Sequence, residues 1–254
     1  MKVSISIPTY HANGVGVDLT IRCINSCLAQ TYPNFEVCVS DESGMWELKK
    51  YISDLKTAKV RYCHFKNENG DPGLNILNSI NMATGDCYKF LAYDDFFASE
   101  NSLKILVDHL EFNQWGICGH YQIAENNKNV RIFHPKWPDN SIDLALGLNT
   151  LGPPSVVISK TKINAFLGCV YSGDCELYLE YYQKLGKPYL INDPLICVYQ
   201  HRNQFSDIMS KSEFNTIRAN DIIYCLKKYF TNGRELSRQE ILQLYKKSNE
   251  SPPN

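Results

Sequence analysis

Three carboxylates and one histidine in the 254-residue sequence have the type and placement to act on a substrate. Asp94 and Asp95 are adjacent, following the apolar run CYKFLA (Cys87 to Ala92) and preceding Phe96 and Phe97. Two like charges at a strand end repel. A divalent cation offsets that cost, and Mg2+ or Mn2+ held by one or two carboxylates plus substrate phosphates is the common arrangement. A solvated loop in which Asp95 or Ser99 caps the next helix explains the dipeptide equally well. Asp174 stands just before CELYLEYYQKLG, whose Leu177, Tyr178, Tyr181 and Leu185 share one helical face. The positive end of that helix would favour the ionised carboxylate and suit it to accept a proton, although a plain N-cap produces the same placement. His201 closes LICVYQH, where an imidazole serves as a metal ligand, as a donor to phosphate, or as an ordinary packed side chain.

Bringing these groups together requires strands that end at one place. Val3 to Ile7, Phe35 to Ser40, Val60 to Phe65 and Cys87 to Ala92 read as strands. Helices alternate with them. One is capped by Asp18 with Leu19, Cys23, Ile24, Cys27 and Leu28 inward, one runs from Trp46 to Leu55, and one from Leu74 to Met82 follows the loop Asn69 to Gly73. Such alternation argues for a parallel sheet with ligands at its carboxyl edge. Pro8, Thr9 and Tyr10 follow the first strand there, and Asp41 follows the second, placed to accept hydrogen bonds from a base or ribose or simply to start the turn in DESG. Gly152 to Ser155 (GPPS) either shapes an acceptor side or makes a turn.

Beyond Asp95 the alternation loosens into a helix from Asn101 to Phe112 and strand-like stretches at Ile117 to Ile123, Val130 to Phe133 and Val156 to Ile158. A mixed second half is expected. The expected division is a domain over 1–206, with a nucleotide half 1–95 and an acceptor half 96–206, and a C-terminal helical appendage over 207–254. Its first helix turns Ile222, Ile223, Leu226 and Tyr229 inward, and its second opens on the box Ser237 to Glu240 with a staple of Leu236 and Ile241. These helices pack on the domain, while Lys227, Lys228, Lys246 and Lys247 also permit peripheral membrane association.

Composition narrows the classes. Lys and Arg number 26 against 27 Asp and Glu, so the net charge is −1, and the dispersed basic residues leave no footprint for nucleic acid. Ten scattered cysteines without a CxxC pair, in a chain opening directly on a strand pattern, are expected to be reduced and buried in a cytoplasmic protein. No apolar run approaches the ~18 residues of a membrane span. The absence of GxxxxGK[ST], and of GxGxxG after the first strand, disfavours P-loop and dinucleotide enzymes. A glycoside hydrolase would need carboxylates ~5–9.5 Å apart across the sugar, which adjacent Asp94 and Asp95 do not give, although Asp174 could pair with either.

In SISIPTY, CINSCLAQTYPNFEVCVSDES, NGDPGLNILNSINMATGDCYKFLAYDD and SGDCELYLEYYQKLGKPYLINDPLICVYQH, spanning roughly 1–206, the sequence resembles the inverting family 2 glycosyltransferases of the GT-A fold. The resemblance implies an α/β, Rossmann-like architecture with a mixed, mainly parallel central sheet flanked by helices. It implies that Pro8, Thr9, Tyr10 and Asp41 hold the nucleotide base, that Asn75 lies beside the donor, and that Asp94 and Asp95 contact ribose and metal-diphosphate. Asp95 is placed slightly ahead of Asp94 as the Mn2+ or Mg2+ ligand, His201 is a further ligand or phosphate donor, and Asp174 is the catalytic base. Members often read Asp-x-Asp-Asp where this chain has Ala92-Tyr93-Asp94-Asp95, and Gly173 replaces the first acid of the pair before the base helix.

The implied reaction is metal-dependent transfer, with inversion, of a sugar from a nucleotide-diphosphate sugar, UDP-sugar favoured. The acceptor is a saccharide or lipid-linked saccharide in bacterial surface polysaccharide or glycan assembly, at the inner face of the membrane. Ala92 and Gly173 also motivate a non-catalytic sugar-nucleotide or glycan-binding protein of the same fold.

Overall fold

β1 (Val3–Thr9) is buried on both faces, with Val3, Ile5 and Ile7 on one side and Ser4 and Ser6 on the other, as a central strand covered by helices must be. The computed structural model describes residues 1–67, 70–125, 130–162, 166, 168–202 and 211–249. β1 pairs in parallel with β2 (Phe35–Asp41) and β4 (Cys87–Phe90), and β2 pairs in parallel with β3 (Val60–His64). The register sets Thr9 beside Asp41 and Asp41 beside His64, so these strands end level.

The second half is mixed, as the loosened alternation implies. β8 (Val157–Ser159) runs antiparallel to both β4 and β6 (Trp115–Ala124), β9 (Tyr189–Gln200) is parallel to β6, and β5 (Phe96–Phe97) and β7 (Val130–Phe133) add antiparallel pairs. The nine described strands form one sheet in the order β3-β2-β1-β4-β8-β6-β9-β5, with β7 on β6. All ten thiols are free, and only Cys63 is not buried. Among the described residues, no helix is long and apolar enough to cross a membrane.

Three helix expectations need correction. α1 (Gly16–Leu28) begins two residues before Asp18, which lies in its first turn, where a carboxylate favours the positive helix end. The early start follows from a tight turn in which Ala12 and Asn13 take left-handed φ of 46° and 53°, and from Gly16, whose added Cβ would lie 2.0 Å from the Tyr10 carbonyl oxygen. α6 (Gly173–Leu185) likewise starts early, so Asp174 sits inside its first turn and Ser172 is the N-cap. In α7 (Lys211–Phe230), Leu226 and Tyr229 are buried as expected, but Ile223 is 48% exposed. The helix is rotated to bury Asp221, which accepts backbone hydrogen bonds from Val170, Tyr171 and Ser172.

Lys228 pairs with Glu176 and Glu180 of α6, and Lys227 pairs with Glu235. α8 (Arg238–Asn249) opens on the expected box, Glu240 accepting from the Ser237 amide and the Ser237 hydroxyl accepting from the Glu240 amide. Lys246, Lys247 and the 206/207 boundary lie outside the described side chains and residues.

At the opposite edge of the sheet from the strand ends, Glu36 is buried yet fully partnered. It accepts from Lys2 Nζ at 2.8 Å, Ser4 Oγ at 2.7 Å and the Thr84 amide at 2.7 Å. Burial alone would raise its pKa, but the Lys2 ammonium and these donors outweigh it and bring the group down to about 2. A folded value below the ordinary one contributes stability that is present above pH 4.5 and lost as pH falls toward 2. Glu36→Gln is therefore expected to lose ~1.5–3 kcal/mol in denaturant unfolding at pH 7, a deficit that shrinks at pH 3.

Candidate active site

At the level strand ends, three predicted residues are locked to one another. Thr20 donates to the Gly16 carbonyl at 2.6 Å, so the Thr9 hydroxyl, 2.6 Å away, donates to Thr20. Asn75, on α3 (Pro72–Asn81), donates to the Thr9 carbonyl at 3.0 Å and accepts from Ser40 Oγ at 2.6 Å. Asp41 is fully buried, with one oxygen accepting from the Ser43 and Gly44 amides and the other from the Met45 amide and Tyr62. All of these side chains hold the loops around the strand ends. Pro8 is half-buried in β1 opposite Ser40.

The residues that face open space there are Tyr10 and Glu42. Together with Ile76, Pro154, Tyr171 and Asp174 they line a cavity of about 450 Å3, within the range of small-ligand sites. Glu42 was not among the residues singled out from the sequence, though it directly follows Asp41 and leaves the strand on the other side. Burial pushes its pKa up. Pro154 brings the GPPS segment into this wall. Among the described residues lining the cavity there is no Lys or Arg.

Behind Tyr10 lies the acidic pair. The Tyr10 ring meets Tyr93 edge-on at 5.3 Å, and Tyr93 meets the His201 ring at 6.3 Å. His201 Nε2 is 3.1 Å from Asp94 Oδ2, both groups being buried, and the Asp94 carbonyl accepts from Arg22 at 2.7 Å. Arg22 is in turn clasped between the rings of Phe96 and Tyr199. Asp95 accepts from the Tyr199 amide at 3.1 Å, and Ser155 Oγ hydrogen-bonds it. Burial first, then the neighbouring Asp94 charge, raises its pKa.

The fit to a divalent cation can be read from these atoms. Among the described residues His201 Nδ1 has no hydrogen-bond partner; it lies on the other edge of the ring from Nε2, the nitrogen that meets Asp94. Among the described residues, no group of three or more His, Cys, Asp or Glu converges to hold a metal. The close buried pair is Asp94 Oδ2 and His201 Nε2, a carboxylate and an imidazole of the kinds that bind Mg2+ or Mn2+ when diphosphate and water complete the shell.

Asp174 lines the same cavity from the first turn of α6. Its Oδ1 accepts from the Cys175 amide at 2.7 Å, and its Oδ2 accepts from Asn149 Nδ2. Burial pushes its pKa up, against those hydrogen bonds. Asn149 also accepts from the Leu151 and Gly152 amides and donates to the Gly152 carbonyl, so one amide ties the acid to the GPPS loop. No feature of the sequence marks Asn149. The site of the missing acid, Gly173, is filled by Phe166, whose ring carbon would lie 3.0 Å from an added Cβ.

The model of glycosyl transferase family 2 matches residues 4–161. An uncharacterized glycosyltransferase of Rickettsia felis is 33% identical over 137 residues, covering 52% of this chain and 21% of that protein. The chain spans less than half the length of each of the four Rickettsia proteins it matches first. The Escherichia coli UDP-Glc:alpha-D-GlcNAc-diphosphoundecaprenol beta-1,3-glucosyltransferase WfgD is 26% identical over 221 residues, covering 85% of this chain and 82% of WfgD. In fold, the crystal structure of S. aureus TarS in complex with UDP-GlcNAc superposes with a TM-score of 0.67 at 16% identity, over 98% of this chain and 72% of that one.

Proposed function

The chain belongs to glycosyl transferase family 2, and from that premise we propose that it transfers a sugar from a UDP-sugar to a hydroxyl of a saccharide or lipid-linked saccharide, with inversion. The observation that carries the reading is the shared cavity, which Tyr10, Glu42 and Asp174 line together. WfgD, named for a UDP-glucose donor and a diphosphoundecaprenol-linked acceptor, and TarS, holding UDP-GlcNAc, support the donor and acceptor classes. We place the reaction in bacterial surface-glycan assembly on the cytoplasmic side.

Tyr10 presents its ring to the nucleotide, while Thr9, Asn75 and Asp41 act through the loops they hold, Asp41 by fixing the turn that carries Glu42. Asp174 takes the acceptor proton as the acceptor oxygen attacks the anomeric carbon, and a single displacement inverts that carbon. A carboxylate raised by burial is the stronger base, and a positioned base commonly contributes ~10²–10⁴ in rate. A bound Mn2+ or Mg2+ would be held by Asp94 and His201 and would supply positive charge to the departing diphosphate.

Thermal unfolding of the chain with a panel of nucleoside diphosphates and UDP-, GDP- and TDP-sugars, with and without Mn2+, tests the reading. A ligand that binds only the folded state raises its stability by mass action. A Mn2+-dependent shift selective for UDP compounds is expected, and transfer to saccharide acceptors should follow from the same donor. No shift with any nucleotide would overturn the reading in favour of a glycan-binding protein.

A further inference from the structure

Three residues before Asp174, an aromatic ring stands exposed at the mouth of the cavity. Tyr171 is 37% and Val170 53% exposed, yet the segment is held firmly. Asp221 of α7, itself 2% exposed, accepts from the amides of Val170 at 3.1 Å, Tyr171 at 2.8 Å and Ser172 at 2.7 Å. Phe214 of the same helix meets the Tyr171 ring at 4.5 Å with the planes 82° apart. That edge-to-face contact leaves at least one face of the Tyr171 ring uncovered by Phe214. An exposed ring gains little from hydrophobic burial, so fixing it from both backbone and side chain makes sense as the preparation of a surface for something else.

Charge narrows what that something is. The ionisable carboxyl groups at this cavity are Glu42 and Asp174, and no Lys or Arg is among its described lining residues. A phosphorylated or uronic sugar brought beside them would meet like charge, since Arg218, near Gly147 and Ser172, is not among the described lining residues. An uncharged pyranose meets no such penalty, and one face of its ring, rich in C–H groups, complements an aromatic face. We propose that Tyr171 is the platform of an acceptor subsite for an uncharged pyranose, held in place by Asp221. The subsite's part in catalysis rests on the transferase reading; its binding preference does not.

The test is calorimetric titration of the full chain, with UDP and Mn2+ present, using methyl disaccharide glycosides of glucose, galactose and N-acetylglucosamine. Each is offered in neutral, 6-phosphorylated and uronic forms, against wild type, Tyr171→Ala and Tyr171→Trp. Neutral forms are expected to bind best, to weaken roughly three- to tenfold in Tyr171→Ala, and to recover in Tyr171→Trp, as loss and restoration of one aromatic contact require. Recovery separates a ring platform from general damage to the loop. No binding by any neutral form, neutral binding unaffected by Tyr171→Ala, or tighter binding of the charged forms would overturn the subsite. Neutral binding with the expected Tyr171 dependence, but no turnover with any sugar nucleotide, would overturn the transferase reading and leave the subsite standing.

Discussion

Asp174→Asn is expected to lower sugar transfer by ~10²–10⁴ while leaving UDP and Mn2+ binding in place. The substitution keeps shape and an oxygen for the Cys175 amide, but an amide cannot accept the acceptor proton. Because burial raises the Asp174 pKa, the acid limb of the kcat profile should lie above the ordinary aspartate value of 3.8. Activity falls as pH drops through that raised value, since only the ionised form is a base. The sign for stability is opposite. A folded pKa above the unfolded one means the folded state holds the proton longer, so the charged group costs stability as pH rises through the window between the two. Relief of that cost in Asp174→Asn is offset because its new amide nitrogen meets Asn149 Nδ2, donor against donor, so the variant should unfold somewhat more easily than wild type at neutral pH. Single-turnover assays across pH, paired with thermal unfolding, check both halves. Near-normal transfer in the variant would place the base elsewhere.

Asp94→Ala is expected to abolish the Mn2+-dependent part of nucleotide stabilisation, a term of ~2.7 kcal/mol at a ligand concentration a hundredfold above Kd. Asp95→Asn, by contrast, should keep that shift. Asp95 is turned toward the Tyr199 amide and Ser155, where an amide oxygen still accepts, whereas Asp94 alone of the pair reaches His201. The measurement is thermal unfolding with UDP at fixed excess, with and without Mn2+, for both variants. The reverse pattern, with the shift lost in Asp95→Asn and kept in Asp94→Ala, would reassign the ligand.

The first four strands were legible because each is a short run with few charges, separated by helical periods, with β1 and β2 buried on both faces. Residue roles were harder to read, because a side chain's direction depends on partners distant in sequence. Asp41 announces itself as an acid at a strand tip, but Tyr62, 21 residues later, and the amides of its own turn take up its oxygens. The adjacency of Asp94 and Asp95 signals a special site without saying which carboxylate faces His201, 107 residues beyond Asp94. Apolar periodicity put Ile223 inward in α7 and had no means of anticipating that a buried charge, Asp221, would set the helix rotation. Asn149 carries no sequence signal at all, since an Asn in a loop is commonplace until its amide is seen against Asp174.

The Asp221 anchor also bears on the order in which the site can be completed. Its partners lie 49 to 51 residues earlier in the chain, whereas Thr9, Asp41 and Asn75 connect within the first third of the sequence. During synthesis, the strand ends that frame the nucleotide side can close while the turn leading into the Asp174 helix still awaits its clamp from residue 221. A nascent chain stalled between those points would carry the hydrogen bonds of the donor side without those that fix Tyr171, so its two substrates would become bindable at different stages of translation.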